Sequence, residues 1–583
     1  MKSLRWAFAL TSLLFGVVVM LFFALAYPHH LHFQEQYQLF LFDYDYIWEV
    51  LSLPGGLADL IGRFLTQFFL YAWAGATILA AVLVSIQLLT YKVLQTTSKE
   101  MLTYVLSFIP ALLFCCFFSD EYALMSAPIA LIIVLGIFLL IRCIKSDNLR
   151  LGISVISIPI TYMLAGAFVL PYAFLLCIFE LQKEISLRSI VISCILALTA
   201  VVTPLAWHQF VHLSLAQLYA GPHYYRNPEE TPQWAWYAMC VVPLLMMLPK
   251  RIKQWCSRRG TTVFLFAWVV LMSIGGVVFN SLQSQQKEDT MAYDFMARHA
   301  LWNRIIQKAQ DRAPKNQVSV VALNLALAER GLLTEGMFEF PQNGINGLLP
   351  NFATDCFSPL VTAEAFYRLG LINTAQRFVF EAQEAIPDFQ KSARCYKRLA
   401  ETNLINGAYD VAKKYLIALR KTLFYRSWAI ETLDLLSKND AVEAHPEYGN
   451  LRKMRCTQDY FFGGNTLHQI LARQLQSNPQ NRKAFEYLEA ACLLAKDVEK
   501  AVNYYSLGGN LGYKTIPNAI QQAMLLNWSQ NHKMSDPIPA YFQENLVQGF
   551  KNFHMTLQAS NGNPESVQRS FGKTYWSYYY FHK

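Results

Sequence analysis

Residues 28–67 read PHHLHFQEQYQLFLFDYDYIWEVLSLPGGLADLIGRFLTQ and lie between two apolar stretches of membrane-spanning length. The segment carries Glu35, Asp43, Asp45, Glu49 and Asp59 against one Lys/Arg, Arg63. Beyond Gly55 and Gly56, the residues Leu57, Leu60, Ile61, Phe64, Leu65 and Phe68 recur at i, i+3, i+4 and i+7. That spacing predicts an amphipathic helix lying on a membrane surface rather than crossing it. A loop so acidic between two apolar spans fixes the reading of everything around it.

Working outward, the chain has 583 residues, of which 54% are hydrophobic, too apolar for an ordinary soluble protein and too long for one core. The excess falls before residue 282, so the sequence predicts a transmembrane domain over 1–282 and a soluble-type helical domain over 283–583. Spans are expected at 6–27, 68–91, 102–118, 123–144, 151–164, 168–181, 189–205, 234–248 and 261–279, about nine in all. The apolar run 151–180 is too long for one span, and splitting it at Ala165-Gly166 keeps the following loops on the correct sides. The first span is expected to be a retained anchor. Ala24-Leu25-Ala26 resembles a signal-peptide cleavage site, but the apolar run before it exceeds the usual length of about 7–15 residues.

With the amino terminus cytoplasmic, the inner segments carry Lys2, Arg5, Lys92, Lys99, Arg142, Lys145, Arg150, Lys183, Arg188, Lys250, Arg251, Lys253, Arg258 and Arg259. The outer loops carry Arg63 and Arg226, the asymmetry of the positive-inside rule. This topology puts the loop 28–67, the loop 207–233 and everything after 279 outside. The second loop holds His208, His212, His223, Arg226, Glu229 and Glu230, a mixed set that could face the acidic loop across a polar cleft. No span carries a charge near its middle, which argues against an ion-coupled transporter. The net charge of +9 is dispersed, with no basic stripe interleaved with aromatics, which argues against nucleic acid as a partner.

After residue 285 the pattern becomes amphipathic helices with polar connections, interrupted by the irregular stretch MFEFPQNGINGLLP at 337–350. Gly370 with Ala375, Ala382 and Pro387 is echoed by Gly407 with Ala412, each after an apolar helix. Small residues at such positions let the two helices of a hairpin approach. The pattern over 355–530 resembles degenerate tetratricopeptide repeats, which implies a solenoid with a concave face for a peptide or protein partner. Of the cysteines outside the spans, Cys395 and Cys492 sit in helical patterns that predict buried thiols, and a disulfide among Cys356, Cys395, Cys456 and Cys492 is left open. The ending Tyr575-Trp576-Ser577-Tyr578-Tyr579-Tyr580-Phe581 reads first as a packed capping helix, with sugar stacking or lipid anchoring as the functional alternatives.

The segments FQEQYQLFLFDYDYIWEVLSLPGGLADLIGRFLTQFF, NPQNRKAFEYLEAACLLAKD and FGKTYWSYYYF together resemble a family of polytopic membrane proteins of Bacteroidetes bacteria recorded as a domain of unknown function. The resemblance spans nearly the whole chain and implies an inner-membrane protein of a Gram-negative cell, in which the topology above puts the carboxy-terminal half in the periplasm. The layout also resembles GT-C glycosyltransferases, in which a first span is followed by an outer loop with a catalytic acid and surface helices. In Asp43-Tyr44-Asp45 only the spacing of their acidic motif is matched. That resemblance implies sugar transfer from a polyprenyl-phosphate carrier, with Asp43 or Asp45 as base and Arg63, His223 or Arg226 as phosphate partners. A carboxylate there could also hold a divalent metal, although no cofactor is evident from spacing. His29, His30 and His32 lack a Cys or Asp partner set and read as an interfacial group. Two roles stay open for this all-α polytopic bundle with its extracytoplasmic repeat domain: membrane glycosyltransferase, or non-enzymatic envelope scaffold in contact with membrane lipids.

Overall fold

A computed structural model describes residues 2–95, 101–220, 233–248, 260–350, 353, 355–438, 440–456, 467–509, 511–513, 515–532, 536–539 and 542–582. Among them every regular element is helical and no strand occurs. The chain divides into two compact units. The first comprises 1–288 with two segments from much later, 386–393 and 418–427; the second comprises 289–385, 394–417 and 428–583.

Among the described residues of the first unit five helices are long and apolar enough to cross a membrane: Trp6–Ala26, Ala72–Leu94, Asp147–Lys183, Leu187–Trp207 and Phe264–Leu282. Shorter apolar helices stand at Met101–Phe117, Ser126–Arg142 and Gln233–Met246. The outer surface of these helices is itself apolar. Phe264–Leu282 presents Phe266 at 70% and Val277 at 72% exposure, with Val269 and Ile274 also exposed. In water each such side chain would forgo about 1.5–3 kcal/mol of burial free energy, so lipid is the solvent this surface suits.

Asp147–Lys183 is broken at Gly166, whose φ of 64° and ψ of −149° belong to a region that only glycine occupies readily. The two halves fold back on each other as a hairpin. Ser157 and Tyr172 share a hydroxyl hydrogen bond of 2.6 Å near the turn, and Arg150 reaches Glu180 at 2.9 Å where the arms end. Between the first helix and its neighbours runs a buried polar chain: the Ser12 hydroxyl donates to Gln87 Oε1 at 2.7 Å, and Gln87 Nε2 donates to Ser107 at 2.8 Å. The Tyr104 hydroxyl closes it at 2.6 Å from Ser12. Interhelical bonds of this kind join spans where lipid offers no hydrophobic drive to association.

The second unit is built from helix pairs around a core running from Ala292 to Trp576. Ser358–Leu369 turns into Ile372–Glu384 through Gly370, and Ala393–Asn406 turns into Tyr409–Arg420 through Gly407, with φ of 84° and 80° at the two glycines. The left-handed backbone lets each helix stop and its partner return at once. Ala375, Ala382 and Ala412 are fully buried at these crossings. Two helices, Gln317–Glu329 and Arg482–Leu494, are enclosed nearly all round; at 13 residues each they are central core helices rather than spans. Cys395 and Cys492 are buried, as their helical patterns predict. Of the terminal aromatics two pack inward, and Tyr580 stays exposed. Tyr575 and Trp576 are buried, the Trp576 indole donates to the Gln522 carbonyl at 3.0 Å, and its ring lies against Phe550 and Phe553.

Candidate functional site

The loop 28–67 is largely helical, with an extended stretch over 38–43. It forms Pro28–Glu35, Tyr44–Leu51 and Gly56–Thr66, then a 3-10 turn, Gln67–Leu70, that leads into the next span. Proline at the first position suits the start of Pro28–Glu35. Its first amides, those of His29 and His30, donate to the two carboxylate oxygens of Glu288 at 2.8 and 3.0 Å. His30 and His32 are buried, and burial pushes the His30 imidazole below the usual histidine range. His32 Nδ1 lies 3.1 Å from the Phe69 carbonyl. No grouping of His, Cys, Asp and Glu that could hold a metal occurs among the described residues.

The helix expected at 57–68 is present as Gly56–Thr66, but its polar side faces the protein. Ala58, Asp59, Gly62, Arg63 and Thr66 are buried, whereas Phe64 is exposed and Leu57, Leu60, Ile61 and Leu65 are only partly covered. The helix packs on Ser126–Arg142 and on the first arm of the Gly166 hairpin. Gly62 permits this approach, since a Cβ there would stand 2.6 Å from the Ser126 nitrogen. Asp59, fully buried, pairs with Arg63 at 2.6 Å one turn along, and Arg63 Nη1 donates to the Tyr46 hydroxyl at 3.2 Å. Amphipathicity turned inside out in this way fits a helix whose outer solvent is apolar, because the ion pair then gains its partners within the protein.

Asp43 ends an extended stretch and precedes Tyr44–Leu51, its carboxylate 2.9 Å from Lys421 Nζ. The Phe42 amide donates to the Lys421 carbonyl at 2.7 Å, so the contact is made by backbone as well as by charge. Asp45 and Glu49 are exposed, one turn apart on the same side of the helix. Tyr44 and Trp48 project from another side at 77% and 64% exposure, and Val50 is buried. The segment 418–427 provides further contacts. The Tyr425 hydroxyl donates to Glu35 at 3.3 Å, and the Phe424 ring meets Phe68 and Tyr71 edge-on at 5.5 and 5.4 Å.

Among the described residues, the ion pairs of these side chains are Asp43 with Lys421 and Arg63 with Asp59. His223 and Arg226 lie outside the described residues, so the polar cleft expected between the two loops rests on no described contact. Lys421, Phe424 and Tyr425 escaped the sequence reading. Their local signal is the run Arg420-Lys421-Thr422-Leu423-Phe424-Tyr425-Arg426, an apolar tip between cations where a turn between helices would ordinarily be polar.

The family model described as "Family of unknown function (DUF6057)" matches residues 2–582. The chain belongs to the DUF6057 family. No curated protein and no solved structure matches it. Membership covers both units and brings no activity with it, so function has to be argued from the site.

Proposed function

We propose that this chain is a multi-pass inner-membrane protein serving as a non-enzymatic scaffold of the cell envelope. Its amino terminus is cytoplasmic, about nine spans cross the bilayer, and 283–583 forms a tetratricopeptide-like periplasmic array that binds a protein or peptide. The observation that carries this reading is the use made of the acids in 28–67: Asp59 is spent on Arg63, Asp43 on Lys421 and Glu35 on Tyr425. A catalytic carboxylate needs its oxygens directed at substrate, whereas these hold elements of one unit together. In the second unit a groove of about 500 Å³ is lined by Glu335, Asn518, Gln521, Gln543, Asn545 and Thr574. Amides and hydroxyls in that number suit the alternating donors and acceptors of a peptide backbone.

The glycosyltransferase reading, with a polyprenyl-phosphate sugar donor, keeps one favourable observation: the Asp45 carboxylate is exposed beside the lipid-facing side of its helix. The two readings separate in a deletion strain complemented with full-length variants. On the scaffold reading, Gln543→Arg with Asn545→Arg abolishes complementation at normal protein level, and Asp43→Asn with Asp45→Asn leaves envelope glycans and growth unchanged. Loss of a glycan in the second variant, again at normal protein level, overturns the scaffold in favour of the enzyme.

A further inference from the structure

We infer that the segment 420–426 is an interfacial membrane finger: Leu423 and Phe424 sit among lipid acyl chains near the bilayer surface, and Arg420 and Arg426 bind lipid headgroup phosphates. The inference rests on the membrane reading above and adds a specific lipid contact from the far half of the chain. The segment is part of the first unit. Phe424 lies against Phe68 and Tyr71, and Tyr71 and Trp73 are exposed at the start of the span Ala72–Leu94. Exposed Tyr and Trp at the end of a span mark the depth of the headgroups, so the finger stands at that depth. Phe68, which Phe424 meets, is in turn met edge-on at 5.7 Å by the exposed Phe64.

Composition agrees with position. Leu423 is 41% exposed at the tip of a turn, an arrangement disfavoured in water and favoured in the lipid interface. Arg420 and Arg426 flank it, both exposed and neither in an ion pair among the described residues, while Lys421 between them is held by Asp43. A guanidinium presents a fork of donors that matches phosphate oxygens. Two such groups on either side of an apolar tip complement a surface whose outer layer is phosphate and whose inner layer is hydrocarbon. A protein partner would more simply have been met by an apolar patch with a polar rim lying clear of the span ends.

The test uses full-length protein in nanodiscs and reads Leu423→Trp as the difference from the unsubstituted chain, with Val277→Trp on the span Phe264–Leu282 as the lipid-exposed control. The added emission is expected to be blue-shifted and largely lost when the lipids carry bromine high on their acyl chains, and to resist aqueous acrylamide. Arg420→Gln with Arg426→Gln in the same background is expected to shift it to the red and to restore acrylamide quenching. If the bromolipids quench the control but not the finger, the inference is wrong and the membrane reading stands. If neither is quenched, the membrane reading fails. Bromolipid quenching unaffected by the arginine substitutions overturns the assignment of the cations to phosphate.

Discussion

Glu486 and Glu489 lie three positions apart on the core helix Arg482–Leu494, both fully buried, in opposite chemical situations. Glu486 accepts from Arg482 at 2.9 Å, from the Leu333 amide at 3.2 Å and from the Tyr513 hydroxyl at 3.1 Å. Neither oxygen of Glu489 has a hydrogen-bond partner among the described residues, and burial pushes its carboxyl well above the usual range. The folded chain therefore keeps a proton that the unfolded chain releases once pH passes about 4.3. Since the unfolded state then binds fewer protons, Glu489 lowers stability progressively as pH rises above that value. Glu489→Gln removes the ionisation at little cost in shape. Its midpoint of thermal unfolding at pH 7–8 should rise by about 2 °C or more, and the gain should shrink to nothing near pH 4. A gain equal at all pH values would show that shape rather than charge is at issue.

At the scale of elements, the Gly166 hairpin and the inverted helix Gly56–Thr66 both show a backbone or face chosen by its surroundings. The hairpin was legible in outline: an apolar run too long for one span, with a glycine at its centre, implies a reversal. Any Cβ at φ 64°, ψ −149° is strained by about 1–3 kcal/mol. Gly166→Val should accordingly lower the unfolding temperature of the detergent-solubilised protein. Gly152→Ala on the same arm, where a Cβ meets nothing within 4 Å, should not lower it. The inverted helix was legible only as a helix. Its period of 3.6 fixes that one side is apolar and the other is not. Which side turns inward depends on whether the outer solvent is water or lipid, and on whether Gly62 finds a backbone close enough to need its missing side chain.

At the scale of the whole molecule, the distribution of cations implies one orientation in the membrane. Cys143 follows Arg142 at the end of Ser126–Arg142, is exposed, and on the proposed topology is cytoplasmic. A membrane-impermeant maleimide applied to spheroplasts should leave Cys143 unmodified until the membrane is permeabilised, with peptide mass spectrometry as the readout. Modification in intact spheroplasts would reverse the topology and with it the periplasmic placement of 283–583. The same scale shows why Asp43 gave no sign in the sequence of its partner, Lys421. Within its own segment only Arg63 could have matched it, and Arg63 is claimed by Asp59, which is one helical turn away.

What the sequence determined by itself rests on near neighbours: apolar runs long enough to span a bilayer, helices with a 3.6 period, and the stops at Gly370 and Gly407, where local sterics suffice. The tertiary structure alone decided that the polar side of Gly56–Thr66 is buried, that Glu489 lacks the partners Glu486 has, and that Lys421 and Tyr425 reach the acids of the first loop. Those outcomes depend on contacts between residues far apart in the chain, whose pairing leaves no periodicity or spacing in the sequence between them.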